Sequence, residues 1–321
     1  MSALSIIFLG TSGAVPSAGR YLSCTVCVRE GELLFFDCGE GAQFQVLKHK
    51  MGLNRKTKIF VTHLHADHVL GIPGLLHTMK LLGRTKDIQI FGPEGIKLLI
   101  EAFSEVTHLD PPFKIEINEI KNPEENPVIY ETEEYHVEVA PLDHGETPCF
   151  AYALVEKPKP GKFNVERAKE LGIPEGRLWG MLQKGLSVKV SGKTINSKDV
   201  LGPPKPGRKL VFCGDTRPVK SLAEFAKDAT TLVHEATYKD EHKNKAREYF
   251  HSTASEAATI AKEARVKILL LTHFSSRYQD EDLDQLLSEA KEVFEKTILA
   301  QDDMVIRIPL DDGKKFKIEY L

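Results

Sequence analysis

The chain gathers three histidines and one aspartate within six residues: His63, His65, Asp67 and His68. They directly follow the short apolar run at residues 58–62. Imidazole nitrogens and carboxylate oxygens are the ligands that zinc and similar divalent ions accept, and a bound ion neutralises groups that are otherwise costly to cluster. A polar loop with incidental histidines rarely has this spacing, so the segment predicts a metal site.

The same spacing suggests a second ion. In an extended segment alternate side chains point the same way, so His63 and His65 can share one ion. Asp67 and His68 follow on the next turn. They are then free to serve another ion.

Three more residues of metal-binding types follow apolar runs elsewhere in the chain: His144, Asp215 and His273. Ionisable side chains at the carboxyl ends of strands from both halves are what a site across packed α/β layers requires. Strands and helices are mixed along the chain. The pattern therefore predicts an α/β fold in which helices cover the outside of two packed sheets.

Composition predicts one domain spanning residues 1–321, since this length buries a large core and no tract has low complexity. The first ten residues are apolar but lack a basic region and are too short for a membrane span. Five cysteines, an odd number, suit a reducing compartment. We therefore expect a cytoplasmic protein. Cys24 and Cys27 have redox-pair or half-ribbon spacing, but their strand-like surroundings favour buried thiols.

Charge is distributed unevenly along the chain. Residues 116–138 contain eight glutamates and one lysine, whereas residues 184–220 contain nine basic residues and two aspartates. One surface could therefore bind a polyanion, although two ordinary solvated faces explain the pattern equally well. Residues 156–179 begin with a stretch rich in proline, glycine and lysine, which predicts an exposed, flexible arm inserted between two halves.

Hydrophobic periodicity predicts the elements that must position these residues. We expect strands at residues 4–9, 22–28, 33–37, 58–62, 88–91, 113–117, 135–140, 209–213, 231–234, 267–272 and 304–308. We expect helices at residues 42–50, 69–82, 95–106, 165–171, 255–263 and 283–294.

Several further motifs narrow the function. They are Gly-Thr-Ser-Gly-Ala-Val-Pro-Ser at 10–17, Asp-Cys-Gly-Glu-Gly at 37–41, Gly-Asp-Thr-Arg at 214–217, His-Glu-Ala-Thr at 234–237 and His-Ser-Thr at 251–253. Together with the histidine motif they resemble the ribonuclease Z family of tRNA 3′-processing endonucleases, in its short form. The resemblance runs almost from end to end. It implies the four-layer αββα sandwich of the metallo-β-lactamase fold.

The resemblance also implies two zinc ions per subunit. One ion would be held by three histidines, a second by an aspartate and two histidines, and one further aspartate would bridge them. These residues are His63, His65 and His144 for the first ion, Asp67, His68 and His273 for the second, and Asp215 as the bridge. Such a set leaves coordination open for a water, as a catalytic site requires.

Catalytic roles follow from the same resemblance. Asp67 would orient or deprotonate the attacking water. His251 precedes Thr253 and Glu256, a capping-box pair that opens a helix, so we expect it near the positive end of that helix. There it could contact the scissile phosphate or protonate the departing 3′ oxygen, with Glu235 holding its ring.

The predicted substrate is precursor tRNA, cut to leave a 3′ hydroxyl on the tRNA. Lys157, Lys159 and Lys162 of the arm would contact RNA phosphates without reading bases. The resemblance further implies a homodimer. The alternatives are a small-molecule hydrolase of the same fold, acting on a phosphodiester, thioester, lactam or sulfate ester, and a non-hydrolytic RNA-binding or metal-scaffold protein. The latter would lack ligands, and none is missing here.

Overall fold

The structure is a computed structural model that describes residues 4–17, 19–310 and 315–321. The chain divides into two compact units. The first comprises Met1–Glu131, Val137–Leu154 and Lys209–Leu321, and the second comprises Thr132–His136 and Val155–Arg208. In the part of the chain that is described, no helix is long and apolar enough to cross a membrane.

Short strands and helices alternate along the chain, as in mixed α/β proteins. The strands are β1 (Leu4–Gly10), β2 (Ser12–Gly13), β3 (Cys24–Arg29), β4 (Glu32–Phe36), β5 (Thr57–Phe60), β6 (Ile88–Pro93), β7 (Ile115–Ile120), β8 (Val128–Glu131), β9 (Tyr135–Leu142), β10 (Cys149–Glu156), β11 (Val188–Val190), β12 (Lys193–Ile195), β13 (Lys209–Cys213), β14 (Thr231–Glu235), β15 (Leu269–Thr272), β16 (Phe274–Ser275), β17 (Thr297–Leu299), β18 (Met304–Arg307) and β19 (Lys317–Tyr320). The helices are α1 (Ala42–Lys48), α2 (Ala66–Val69), α3 (Gly71–Leu81), α4 (Ile96–Val106), α5 (Val165–Glu170), α6 (Arg177–Gln183), α7 (Lys220–Phe225), α8 (Lys243–Glu248), α9 (Ala254–Glu263) and α10 (Asp280–Val293).

Two large sheets form the first unit. One has eight strands in the order β19-β18-β1-β3-β4-β5-β6-β7, and the other has seven in the order β17-β15-β14-β13-β10-β9-β8. Strands β4 to β7 run parallel in the first sheet. Strands β13, β14, β15 and β17 run parallel in the second. Neighbouring parallel strands therefore bring their carboxyl ends to the same edge of each sheet.

Aromatic side chains fill the space between the two sheets. Phe36 of β4 stacks on Phe212 of β13 with ring centroids 3.6 Å apart, and Phe60 of β5 lies 5.5 Å from Tyr152 of β10. All four side chains are buried. Burying each contributes roughly 1.5–3 kcal/mol, so this layer holds the sheets face to face.

Helices cover the outer faces of both sheets. Leu33 and Phe35 alternate with the inward-facing Phe36 along β4, and they pack in one cluster with Leu76 of α3. On the other sheet α9 packs against β14 and β15 through small buried residues such as Ala257. The predicted α/β sandwich with two sheets inside and helices outside is confirmed.

The second unit has a small hydrophobic core of its own. This core joins α5, α6, β11 and β12 through buried side chains: Ala168, Ile173, Leu182, Val188, Ile195 and Val200. The two ends of the unit run side by side, and Lys159 and Lys205 exchange backbone hydrogen bonds of 3.0 and 2.9 Å. The residues predicted to form an arm, 156–179, lie within this unit, which continues to Arg208.

The predicted helix at residues 69–82 corresponds to α3, which begins at Gly71 because Val69 is the last residue of the short helix α2. A Cβ at Gly71 would lie 2.0 Å from the carbonyl oxygen of Gly39, so only glycine permits this close passage of two chain segments. Pro73 lies in the first turn of α3, where its missing N–H costs nothing.

Candidate metal centre and active site

Strand ends of both sheets deliver the predicted ligands to one place in the first unit. His63 lies just beyond β5 of the eight-stranded sheet, whereas His144, Asp215 and His273 follow β9, β13 and β15 of the seven-stranded sheet. Asp67 and His68 belong to α2, which begins immediately after His65. The short β5 and this single-turn helix therefore present the whole histidine motif at the carboxyl edge of the sheet.

The first group of side chains converges closely. The Nε2 atom of His63 lies 3.0 Å from Nδ1 of His65, and Nε2 of His144 lies 3.3 Å from the same atom. The Oδ2 atom of Asp215 is 3.6 Å from Nε2 of His63. These four residues have ligand atoms within 4.8 Å of one another, which is close enough for one ion.

A second group lies beside the first. The Nε2 atoms of His68 and His273 are 3.2 Å apart, and Oδ2 of Asp67 lies 3.5 Å from the former and 3.3 Å from the latter. The same Oδ2 of Asp215 is 3.5 Å from Nε2 of His68 and 3.4 Å from Nε2 of His273. One oxygen of Asp215 thus borders both groups.

These spacings fit a divalent metal. With metal–ligand bonds of about 2.0–2.1 Å, the ligand atoms of a tetrahedral zinc ion are ~3.3–3.4 Å apart. The contacts between the donor atoms fall close to that value, at 3.0–3.6 Å. Nitrogen and oxygen lone pairs that face one another at this distance repel unless a proton or a cation lies between them. The donor set therefore suits divalent metal ions.

Hydrogen bonds orient four of the histidine rings. In each of them Nδ1 lies within hydrogen-bond distance of an oxygen, so the ring turns Nε2 towards the centre, where it can bind metal. The pairs are His63 with Thr62 Oγ1 at 3.0 Å, His68 with Asp37 Oδ2 at 2.7 Å, His144 with the Phe250 carbonyl at 3.0 Å and His273 with Thr237 Oγ1 at 2.8 Å.

Asp67 is held from the glycine-rich loop that follows β1. The backbone N–H of Ala14 donates a 2.7 Å hydrogen bond to its Oδ2. Burial raises the pKa of Asp67, but hydrogen bonds from His273 and His68 outweigh this and hold the pKa well below its ordinary value. Asp67 is therefore ionised at neutral pH, as a ligand or a base must be.

Glu235 and His251 form a second polar arrangement next to the ligand groups. The buried Glu235 carboxylate accepts a 3.0 Å hydrogen bond from Nδ1 of His251 and further bonds from the backbone N–H groups of Thr216, Thr237 and Ser252. The ring of His251 lies 5.2 Å from that of His144. Because Nδ1 contacts Glu235, Nε2 is the ring nitrogen with which His251 could contact a substrate.

The charge of Glu235 controls the protonation of His251. Burial lowers the pKa of the ring, but the charge and hydrogen bond of Glu235, with the charge of Asp215, raise the pKa to about 9. His251 is therefore a cation at neutral pH. It precedes α9, whose capping box joins Thr253 and Glu256 as the sequence predicts. The start of a helix attracts anions, so a protonated His251 at this position favours the binding of a phosphate.

Two residues that hold the site were not singled out from the sequence. Arg217 hydrogen-bonds the carbonyl of His251, and Thr237 passes a hydrogen bond from His273 to Glu235. Each is the last residue of a motif quoted above, at 214–217 and 234–237. Their place in these motifs is the only sequence feature that points to them. His234, the first residue of the His-Glu-Ala-Thr motif, is buried, and its Nδ1 donates to the carbonyl oxygen of Glu235.

The three arm lysines belong to the second unit and differ in exposure. Lys162 is exposed, whereas Lys157 and Lys159 are half-buried. Residues 155–208 carry nine lysines and three arginines against four glutamates and one aspartate, a net charge of +7 in a chain of net charge −3. Part of the basic run noted in the sequence thus belongs to the same unit as the arm.

Comparison with known proteins agrees with this geometry. The model of an Anti-Pycsar protein Apyc1 family matches residues 4–149, and that of a β-lactamase superfamily domain matches residues 194–274. The structure of human tRNase Z, short form, is similar with a TM-score of 0.70 and 31% identity, covering 95% of this chain and 99% of that one.

Curated relatives extend the likeness over both chains. Ribonuclease Z of Nitrosopumilus maritimus is 47% identical over 95% of this chain and 100% of its own length. Ribonuclease Z of Methanosarcina acetivorans is 44% identical over 95% of this chain and 98% of its own. With similarity of this extent at more than 40% identity, the chain belongs to the ribonuclease Z family, within the metallo-β-lactamase superfamily.

Proposed function

We propose that this protein is a metal-dependent endoribonuclease that removes the 3′ trailer from precursor tRNA, leaving a 3′ hydroxyl on the tRNA. The observation that carries the proposal is the meeting of two metal-sized donor groups, sharing Oδ2 of Asp215, with the His251–Glu235 pair. The ribonuclease Z relatives supply the substrate class.

The proposed ligands are those of the two groups. His63, His65 and His144 would hold one zinc ion, and Asp67, His68 and His273 a second, with Asp215 between them. Bound zinc lowers the pKa of a water molecule and neutralises charge on a phosphodiester. The chain itself contributes a fixed, ionised carboxylate and four rings whose orientations are set by Thr62, Asp37, Phe250 and Thr237.

Asp67 acts on the attacking water and His251 on the leaving oxygen in this proposal. The depressed pKa of Asp67 keeps its carboxylate ionised, so it can orient the attacking water by accepting a hydrogen bond from it. His251, protonated at neutral pH, can donate from Nε2 to the 3′ oxygen as that oxygen leaves. Glu235 acts on His251 and also, through Thr237, on His273.

The second unit supports RNA rather than a small molecule as substrate. Residues 155–208 of this unit have a net charge of +7, which is carried largely by exposed lysines, including Lys162, Lys184, Lys189, Lys193 and Lys198. Such charges contact phosphates without reading bases, which suits recognition of a folded RNA by shape. Lys157 and Lys159, which are half-buried, would contribute less than Lys162.

We also propose that the chain forms a homodimer through α1, α3 and α4. These neighbouring helices expose apolar side chains, among them Phe44 at 60%, Leu81 at 80% and Leu98 at 71%. Exposed apolar patches of this kind mark contact surfaces. Light scattering should show two chains for the wild type and one for Leu98→Glu, and a monomeric wild type would contradict the proposal.

The activity is tested by incubating zinc-loaded protein with a 3′-extended precursor tRNA beside an unstructured RNA of equal length. We expect cleavage near the acceptor end of the tRNA, loss of cleavage with a chelator, and little cutting of the control RNA. Cleavage of bis(p-nitrophenyl) phosphate without cleavage of precursor tRNA would favour the small-molecule alternative instead.

A further inference from the structure

Arg217 connects the strand end that carries Asp215 with the loop that carries His251. Its side chain is largely buried, with 15% exposed, and lies two residues after Asp215. The guanidinium NH1 donates to the carbonyl oxygen of His251 and, at 3.0 Å, to Oε2 of Glu256. Its NH2 donates to Oε1 of Glu256 at 2.7 Å, which completes a two-pronged ion pair.

The backbone of Arg217 is fixed as firmly as its side chain. Its N–H donates a 2.8 Å hydrogen bond to the carbonyl of Asp143, the residue before His144. Its carbonyl accepts a 2.7 Å bond from the hydroxyl of Thr216. The backbone from which the guanidinium extends is therefore held close to two candidate ligands, His144 and Asp215.

The loop that receives Arg217 needs such a restraint. Phe250 has φ = +56°, a conformation that aromatic residues rarely adopt and that persists only when surrounding contacts enforce it. The carbonyl of Phe250 accepts the hydrogen bond of His144, and the carbonyl of the next residue, His251, accepts that of Arg217. Both carbonyls of this strained turn are thus held from the ligand side.

Glu256 extends the connection into α9. Its Oε2 accepts from the backbone N–H of Thr253 at 3.0 Å, which closes the capping box of that helix. One carboxylate therefore binds both Arg217 and the first turn of α9. The ion pair of Arg217 with Glu256 therefore fixes the position of the start of α9 relative to Asp215. His251 lies two residues before the N-cap Thr253, so its position is fixed as well.

We propose that Arg217 is a positioning residue that holds His251 in register with the Asp215 centre, through the His251 carbonyl and Glu256. The inference rests on the proposed nuclease function. A lysine carries the same charge but cannot form the two-pronged contact and bind the carbonyl together. The role accordingly belongs to the shape of the guanidinium.

The test compares kcat and KM on precursor tRNA for Arg217→Ala, Arg217→Lys and a control, Arg265→Ala. Arg265 forms a similar pair with Asp228, but both side chains are 62% exposed. We expect Arg217→Ala to lower kcat on the order of 10²-fold with little change in KM, because general-acid catalysis contributes about that much. The kcat of Arg217→Lys should lie between those of the wild type and Arg217→Ala. Millimolar ethylguanidinium should restore part of the kcat that Arg217→Ala loses. The control Arg265→Ala should have the kcat and KM of the wild type.

A double-variant cycle separates positioning from a general structural role. If Arg217 acts through His251, adding Arg217→Ala to His251→Ala should lower kcat no further. Independent losses that multiply, or kcat values of both Arg217 variants within threefold of wild type, would overturn the inference. Loss of bound zinc from Arg217→Lys together with lost kcat would also overturn it. Failure of the wild type to cleave precursor tRNA would instead refute the proposed function.

Discussion

Replacing Glu235 with glutamine gives the most quantitative test of the proposed acid. Glutamine has nearly the same shape, but it removes the negative charge that raises the pKa of His251 to about 9 from an ordinary value of 6.5. Without that charge the burial of the ring lowers the pKa, so 6.5 is an upper limit for the variant. The fraction of protonated His251 then becomes strongly dependent on pH.

The expected size follows from these two pKa values. At pH 8 a group with a pKa of 9 is about 90% protonated, and one with a pKa of 6.5 is about 3% protonated, which is a roughly 30-fold difference. At pH 6 the same comparison gives about 100% and 76%, a factor of only ~1.3. The activity lost in Glu235→Gln should therefore be large at pH 8 and recover as the pH falls.

The assay is kcat at saturating precursor tRNA between pH 6 and pH 8, with zinc content measured in each sample. Glu241→Gln is the control, because Glu241 is 55% exposed and pairs with Lys239. A loss in Glu235→Gln that is equal at pH 6 and pH 8 would refute the reasoning. It would mean that Glu235 supports Thr237, Ser252 and Thr216 but does not set the protonation of His251.

Two further predictions concern other parts of the chain. Burial raises the pKa of Asp302 to about 6. An acid whose pKa is raised in the folded state destabilises the fold as the pH rises through that value. Between pH 5 and pH 7.5 the free energy of unfolding of Asp302→Asn should therefore rise by about 1 kcal/mol relative to that of the wild type. Urea titrations that show no such rise would contradict this. Changing Lys189 and Lys193 to glutamate should raise KM for precursor tRNA and lower the slope of its salt dependence by about one unit per lost contact. The kcat for bis(p-nitrophenyl) phosphate should not change, and the control Lys291→Glu, at an exposed position of α10, should match the wild type on both substrates; an unchanged KM for precursor tRNA would contradict the prediction.

The ligand frame could be predicted because it is local in sequence and each distant ligand has a clear signal. Four of the seven candidate ligands lie within residues 63–68, and His144, Asp215 and His273 each follow a recognisable apolar strand. Parallel strands bring such ends together whatever the details of packing. The two-sheet architecture followed from the same strand pattern.

Other features depend on contacts that periodicity does not contain. Strand β10 is central and buried, yet it was not among the predicted strands, although its unbroken apolar run is typical of a strand covered on both faces. The core of the second unit joins single residues from several short elements, so no one segment shows a strong pattern. The break between α2 and α3 comes from the approach of Gly39 to Gly71, which are distant in sequence.

The hydrogen bonds that hold His251 also depend on contacts that sequence periodicity does not contain. Arg217, Glu235 and Glu256 come from three separate segments, and only the fold makes them neighbours. The family resemblance paired Glu235 with His251 and the capping box paired Glu256 with Thr253, but neither gave the contacts that Arg217 makes. The direction of the pKa shift of His251 likewise needed the 3.0 Å contact with Glu235.

The central claim is that two zinc ions, sharing Asp215, make this chain a nuclease. The most direct measurement titrates zinc into metal-free protein while counting bound zinc and measuring cleavage of precursor tRNA. We expect two zinc ions per chain, activity that appears with the second, and loss of both zinc binding and cleavage in Asp215→Asn. Full activity without metal, or full zinc binding and cleavage in Asp215→Asn, would contradict the claim.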